Sequence, residues 1–570
     1  MTSPPPLIDR LLPFLAWRRQ WSAASLRGDL IAGVAVALMM IPQSLAYAQL
    51  ASLPPHVGLY AALLPAIVAA LFGSCAQLST GPVALTSILS GASLLPFADP
   101  ASPAFLTLAI LLALLSGLIQ LALGALRAGW LLNLLSRPVL TGFINAAALI
   151  IGLSQLPALL GVVMPQSTHF LIDFWAALGA LDTAHPLSAA FGAGSLLALL
   201  LLKRFAPGSP AVLLVVACAT ATSAAVGYGS RGGAVVGAIP AGLPVLGVPE
   251  FDWNAAVALI PAAFVIALVS FMEATSSAKL ICGKSGQDWD QNQELIGQGL
   301  AKIAAAISGA LPVSASFSRS ALNYVSGARS SLSSLIAAAC VLVTLLYLTP
   351  LLWHLPKPVL AAIILHVITG LIDFRALGRA WQAGRDDGLA STLTFIGTLV
   401  FAPNIQNGVV AGLLLSLALM LYREMRPRTA LLGLHPDGTY RDLARFGLEH
   451  PDPAIVILRF DSPLTFVTAA AFERAVLAAA ATHSGVHTVL ISAAGINMID
   501  ATGLHTLSML IERLRGTNKN LAFCGLKKQV IDVMQKTGLW LRLGPHADYR
   551  TEHQALEGLR QDAPEATPKR

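Results

Sequence analysis

Two stretches of the chain hold residues suited to binding an anion. One is Leu78-Ser79-Thr80-Gly81-Pro82-Val83-Ala84-Leu85-Thr86, the other Leu311-Pro312-Val313-Ser314-Ala315-Ser316-Phe317-Ser318-Arg319-Ser320. Both are apolar but broken by Gly, Pro and Ser, so a helix within either must start part-way along. Such a half-helix exposes N–H groups with no intrahelical partner and the positive end of its dipole. Two such ends facing each other favour an anion, and Ser316 and Ser318 add neutral hydroxyl donors that fit oxyanions or halides. Arg319 follows them directly. An arginine at mid-membrane costs at least roughly 2.5–3.5 kcal/mol and by default marks a pathway; the plainer reading is an arginine that snorkels or pairs with a carboxylate. Glu273, in Ile266-Ala267-Leu268-Val269-Ser270-Phe271-Met272-Glu273-Ala274, is the one carboxylate read as lying well inside a span. Low dielectric favours the neutral form of a carboxyl, so Glu273 could carry a proton; it could also be a structural partner of Arg319. Ser277, one turn on, shares its helix face and could supply an oxygen if the coupling ion were sodium.

These residues need a membrane around them, and composition supplies it. Of 570 residues, 55% are hydrophobic and only 11% charged, against about 25% charged in soluble domains; the mean hydropathy is +0.71. The net charge of +7 is spread over loops with no aromatic-interleaved basic patch, which argues against nucleic acid. Candidate spans of about 20 apolar residues lie near 28–48, 56–72, 105–126, 138–160, 187–202, 210–227, 255–278, 290–308, 330–348, 352–371, 387–402 and 405–422. The broken segments, near 79–93 and 313–326, bring the count to fourteen. With the N-terminus inside, the inner flanks hold Arg10, Arg18, Arg19, Arg27, Arg127, Arg137, Lys203, Arg204, Lys279, Lys284, Arg329, Arg375, Arg379 and Arg385, while the outer loops hold only Arg231 and Lys357. That asymmetry is the positive-inside pattern, and it places both termini in the cytoplasm. Each broken segment is third in its half. Seven spans per half force opposite orientations, so an inverted repeat follows if the halves share a fold, and matching interrupted segments point to the transport site.

Beyond residue 428 the pattern changes. Residues 429–450 read as a polar linker with a turn at His435-Pro436-Asp437-Gly438. Strand-like runs at Ala454–Phe460, Val486–Ser492 and Asn520–Cys524 alternate with helical patterns at 468–483, 501–515 and 527–537, which indicates a small α/β domain over 451–560. Residues 561–570 read as a disordered tail. The five cysteines (Cys75, Cys218, Cys282, Cys340 and Cys524) match no metal spacing and read as small packing residues. The first 27 residues lack the apolar core of a cleavable signal peptide.

The chain resembles the sulfate permease (SulP) anion transporters. Gly28–Ala48 is similar to that family's first helix, Asn292–Asn323 with its Ser316-Phe317-Ser318-Arg319-Ser320-Ala321-Leu322-Asn323 ending to its most specific signature, and Ile499-Asp500-Ala501-Thr502-Gly503-Leu504 to a STAS domain. The resemblance implies a core domain that moves against a gate domain in an elevator-like cycle, and a homodimer. It implies that Gln43 and Tyr47 line the site, that Val83 and Ala84 begin the first half-helix, and that Phe317, Ser318 and Arg319 begin the second. Glu273 matches an acidic position linked to protons in some members; sodium-using members have Asp there with Thr one turn on, so Glu273 with Ser277 favours protons. Two departures stand out. Lys302 occupies a position where the signature usually has Asn, for which a snorkelling stem is the plain reading. Ala501 follows Asp500 where anti-sigma-factor antagonists carry the phosphorylated Ser, leaving Thr502 as the neighbouring hydroxyl.

The expectation is therefore an all-α polytopic membrane domain over 1–428, with two half-helices and core and gate subdomains, followed by a STAS domain. It would import a small inorganic anion, sulfate first, with a proton or sodium as coupling ion. Bicarbonate or dicarboxylate symport, uncoupled anion exchange or chloride conduction, and a membrane-anchored receptor with a cytoplasmic protein partner for the STAS domain are the competing readings. No triad, metal box or phosphate loop suggests an enzyme, and no cofactor or metal is called for. Arg319 argues against a nucleobase permease, since a neutral base needs carboxylates more than a fixed cation.

Overall fold

The computed structural model describes residues 13–14, 22–100, 102–130, 136–162, 164, 170–206, 210–240, 242–402, 404–544 and 549–561. Arg10, Arg18 and Arg19 of the inner flank, and all of the expected tail except Gln561, lie outside them. The chain divides into two compact units, residues 1–416 and 417–570.

Each expected span carries a helix. In the first half these are α1 (Ala23–Leu50), α2 (Pro55–Phe72), α3 (Ala84–Leu94), α4 (Pro103–Ala125), α5 (Arg137–Leu160), then, after a short α6 (Phe170–Gly179), α7 (Pro186–Phe205) and α8 (Ala211–Val226). In the second they are α9 (Trp253–Ser285), α10 (Gln291–Ile307), α11 (Phe317–Val325), α12 (Leu332–Val343, continued by a π turn over Thr344–Leu348), α13 (Lys357–Ile368), the short α14 (Phe374–Ala383), α15 (Arg385–Val400) and α16 (Ile405–Glu424). The ends follow local chemistry. Ser22 and Ser25 form a reciprocal cap on α1, and the Asp290 carboxylate accepts from the amides of Asn292 and Gln293 to start α10. Gly286, at φ +69°, closes α9 in the left-handed conformation glycine adopts freely. Helices α6 and α14 were not expected. Both are ten residues long, too short to span.

The two halves pack reciprocally, as an inverted repeat requires. The first helix of each half lies against the fourth of the other (α1 with α12, α9 with α4), and against the other's half-helix (α1 with α11, α9 with α3). The fifth helix of each half meets the sixth of the other (α5 with α15, α13 with α7). Helices α1–α4 and α9–α12 thus form a core, and α5, α7, α8, α13, α15 and α16 a gate. Close approach depends on small residues. A Cβ on Gly117 of α4 would lie 2.9 Å from the Gly299 carbonyl oxygen and the Ile303 amide of α10, too close for anything but glycine. Cys75 and Cys282, read as separate packing residues, are neighbours, with their sulfurs 3.2 Å apart in one apolar cluster.

The second unit is built on a five-stranded sheet in the order β4-β3-β5-β6-β7. Its strands are β3 (Thr429–Leu434), β4 (Tyr440–Asp442), β5 (Ile455–Phe460), β6 (Thr488–Ser492) and β7 (Asn520–Cys524). β5, β6 and β7 run parallel, while β3 is antiparallel to both β4 and β5. Helices α18 (Ala469–Ala480), α19 (Ala501–Arg515) and α20 (Lys528–Lys536) pack on one face, and α22 (Glu552–Gln561) on the other. The short α17 (Leu443–Phe446) and α21 (Leu539–Leu543) complete it. The expected linker is thereby corrected: residues 429–450 supply two strands, and only the turn at His435–Gly438 was read as it is found. Leu432 and Ala430 of β3 are buried, which a free linker does not allow.

Candidate functional site

The two broken segments meet. Thr80–Gly81 (β1) pairs antiparallel with Ser314–Ala315 (β2), Thr80 opposite Ala315 and Gly81 opposite Ser314. The Ser316 amide extends the ladder by donating to the Ser79 carbonyl at 2.9 Å, and the Ser320 hydroxyl accepts from the Ser79 amide at 2.9 Å. Each strand runs within three residues into its half-helix, so the antiparallel pairing brings the N-terminal ends of α3 and α11 together. Backbone that is not helical is tolerated at membrane depth only when protein satisfies it, and this two-strand ladder does so.

The half-helices begin differently. Val83, the residue before α3, offers no side-chain cap, so the first amides of α3 have no side-chain acceptor. Ser316 caps α11 weakly, its hydroxyl accepting from the Arg319 amide at 3.5 Å, and it lies 3.3 Å from the Ser318 hydroxyl. Val83, Ala84 and Ser316 are buried, whereas Ser318 is exposed and Phe317 is 54% exposed at the first turn of α11.

Arg319 is fully buried. Its Nη1 donates to the Pro82 carbonyl at 3.0 Å and to Gln43 Oε1 at 3.4 Å, and its Nε to the Ser79 hydroxyl at 3.4 Å. Nη2 has no acceptor among the described residues, and every hydrogen-bond partner of the guanidinium there is neutral. The reading of Arg319 as half of a structural ion pair is therefore not what is found. Gly81 makes room for it, since a Cβ there would stand 3.3 Å from Nη2. Gln43 and Tyr47 are buried one turn apart on α1, and the Gln43 amide nitrogen is also unpartnered. Tyr47 and Glu273 both fall within the electrostatic reach of Arg319. Arg319 Nη2 and Gln43 Nε2 are two buried donors without acceptors among the described residues, the chemistry of an anion site.

Glu273 approaches from α9 with one carboxylate oxygen unpartnered. The Ser277 hydroxyl donates to the Glu273 backbone carbonyl at 2.8 Å, so its proton is tied to the helix. Lys302 does not snorkel. It is fully buried, and its ammonium donates to Gln120 Oε1 at 2.8 Å. Sequence reading missed Gln120, although a lone amide in the apolar run of α4 is the kind of intramembrane polar group that marks a site. It also took Glu273 as the one carboxylate well inside a span. Glu294 is just as withdrawn, but it sits in the first turn of α10, where the amides of Ser74 and Cys75 and the Gln298 side chain donate to it. In the second unit, Asp500 caps α19 by accepting from the Gly503 amide at 2.8 Å, leaving Ala501 and Thr502 exposed beside it.

Paired half-helices in a seven-plus-seven inverted repeat, with a buried unpaired arginine between them, define a polytopic membrane transporter of anions and not an enzyme. The comparisons agree. Residues 26–394 match the sulfate permease family and residues 448–550 the STAS domain, and the chain belongs to the sulfate permease family. It is 33% identical over 555 residues to a probable sulfate transporter of Mycobacterium tuberculosis, covering 96% of this chain and 97% of that one. It is 31% identical over 569 residues to probable sulfate transporter 4.2 of Arabidopsis thaliana, covering 96% and 84%. Among solved structures, the murine Solute Carrier 26 family member A9 anion transporter in its inward-facing state superposes with a TM-score of 0.91 at 23% identity, covering 98% of this chain and 96% of that one. The transmembrane domain of the cyanobacterial bicarbonate transporter BicA gives 0.58 at 24% identity, covering 70% and 98%.

Proposed function

We infer that this protein imports sulfate together with protons, by an elevator-type cycle in which the core carries the anion past the gate. The observation that carries the reading is the unpartnered Arg319 Nη2 between the uncapped start of α3 and the start of α11. In this reading the anion is held by the amides at Val83 and Ala84, by Ser316, Phe317 and Ser318 at the start of α11, and by Arg319. Gln43 and Tyr47 close the site from α1. Sulfate is favoured because the relatives from Mycobacterium tuberculosis and Arabidopsis thaliana described above are named as probable sulfate transporters.

Glu273 is the proposed proton carrier, its free oxygen being available to take a proton as the anion binds. Sodium binding would draw on an oxygen from Ser277, whose hydroxyl proton is donated to the Glu273 backbone carbonyl, and the gradient experiment below separates that reading from the proton. We further propose a homodimer in a bacterial inner membrane with both termini cytoplasmic. Its transport domain spans 1–428, and its STAS domain, whose sheet begins with β3 at Thr429, meets a cytoplasmic protein partner. The test is uptake of labelled sulfate, bicarbonate and succinate into proteoliposomes under imposed proton or sodium gradients. Sulfate accumulation driven by an inward proton gradient is expected. Accumulation driven by sodium alone, or exchange indifferent to both gradients, overturns the coupling; flux of bicarbonate or succinate without sulfate overturns the substrate.

A further inference from the structure

Gln298 of α10 is buried, and the anion site described above does not use it. Its Nε2 donates twice, to Glu294 Oε1 and to the Thr80 hydroxyl of β1, both at 2.9 Å. Its Oε1 has no donor among the described residues. A buried oxygen left without a donor loses solvation and gains nothing for it, so the amide is not there to fill space. Its orientation is imposed by Glu294, one turn earlier on the same helix face. Glu294 Oε2 accepts from the amides of Ser74 and Cys75, at 2.9 and 3.1 Å, and Oε1 accepts from Gln298. Both carboxylate oxygens face N–H groups, so Glu294 offers Gln298 an acceptor and no donor. Turning the Gln298 amide over would set oxygen against oxygen. Its protons are thereby aimed at Glu294 and Thr80, and Oε1 is left over.

Thr80 is where that orientation matters. It is buried, lies opposite Ala315 in the ladder, and stands four residues before Ala84, the first of α3. Side chains alternate along a strand. Gly81 turns towards Arg319, since a Cβ there would stand 3.3 Å from Nη2, and Thr80 turns the other way, to α10. Among the described residues, Ser79–Pro82 is otherwise hydrogen-bonded only to β2 and α11. The Ser316 amide and the Ser320 hydroxyl bind the Ser79 backbone, and Arg319 binds the Ser79 hydroxyl and the Pro82 carbonyl. Those partners belong to the second half-helix and its arginine. Gln298 is the hold on β1 from outside the anion site, and it fixes where the first amides of α3 lie relative to Arg319.

We propose that Gln298, oriented by Glu294, is a positioning residue of the anion site, holding β1 so that the first amides of α3 converge with Arg319 on the anion. The proposal rests on the transport reading above. Gln298 does not touch the anion; it acts through Thr80.

The experiment is a double-mutant cycle read as the KM for sulfate, in proteoliposomes under one inward proton gradient. It compares wild type, Thr80→Val, Gln298→Met and the double variant. KM does not depend on how much protein is folded, so a loss of stability lowers the rate and leaves KM where it was. Each single variant should raise KM roughly three- to tenfold, as the loss of one neutral hydrogen bond predicts. The double variant should match the worse single one, because both remove the same bond, and Thr80→Ser, which keeps the hydroxyl, should hold KM near the wild-type value. Unchanged KM in both single variants overturns the proposal, and so does a double variant whose KM rises by the product of the two single rises. If Gln298→Met does not fold, Thr80→Val against Thr80→Ser decides: KM raised in Thr80→Val alone supports the proposal, and equal KM overturns it. Wild type that takes up no sulfate overturns the transport reading, and this proposal with it. Wild type that transports while its variants keep its KM overturns this proposal alone.

Discussion

At the scale of single residues, the account turns on groups left without partners. Unpaired buried donors and acceptors are rare, because each costs about 1–3 kcal/mol of lost solvation, so a cluster of them points to a missing guest. Among the described residues, Arg319 Nη2, Gln43 Nε2 and one Glu273 oxygen are such groups, and the Arg319 and Gln43 side chains touch, Nη1 lying 3.4 Å from Oε1. Two predictions belong here. Glu273→Gln keeps the shape of the site but removes the titrating group, and should leave sulfate exchange measurable while abolishing its acceleration by an inward proton gradient; acceleration equal to wild type would move coupling to another residue. Ser318→Trp places a large ring at the exposed first turn of α11 and should remove most uptake without loss of thermal stability. Wild-type uptake in that variant would mean the anion does not pass the start of α11.

At the scale of elements, the half-helices are positioned by a ladder of two residues from each segment and by helices packed closely through glycine. Gly117→Ala should lower the thermal unfolding temperature in detergent, because its Cβ meets backbone of α10 at 2.9 Å and overpacking costs roughly 1–3 kcal/mol. Gly194→Ala on α7 meets nothing within 4 Å and should be neutral or slightly stabilising; equal destabilisation of the two would contradict the packing described. Much of this level was legible in the sequence. Apolar runs of about 20 residues announce spans, and Gly-Pro at 81–82 and Pro312 announce the breaks, because composition and backbone chemistry are local. What was missed depends on distant contacts. The β1–β2 ladder joins residues more than 230 positions apart and is too short to show a period, and Gln120 shows its partners only once α4 lies on α9 and α10. Thr429–Leu434 was absorbed into a linker by its polar flanks, although its apolar residues complete a sheet. Cys75 and Cys282, 207 positions apart, could not be paired from spacing.

At the scale of the whole molecule, the chain is two units, and the sheet of the second begins with β3 at Thr429. β3 hydrogen-bonds to the edge of β5, so a fragment covering residues 429–561 should unfold in one cooperative transition. One starting at residue 451 leaves β5 as an open edge and should melt lower or aggregate; equal stability of the two fragments would show that β3 and β4 are dispensable. The transport unit makes the larger claim, that an anion rides between α3 and α11 with Arg319 supplying the field. The most direct measurement is labelled sulfate uptake by the Arg319→Ala variant beside wild type, in proteoliposomes of matched folded protein under an inward proton gradient. Loss of a charged hydrogen bond of about 1.5–3 kcal/mol predicts uptake per folded protein reduced roughly 10- to 100-fold. Uptake at the wild-type rate would contradict the account and place the anion elsewhere.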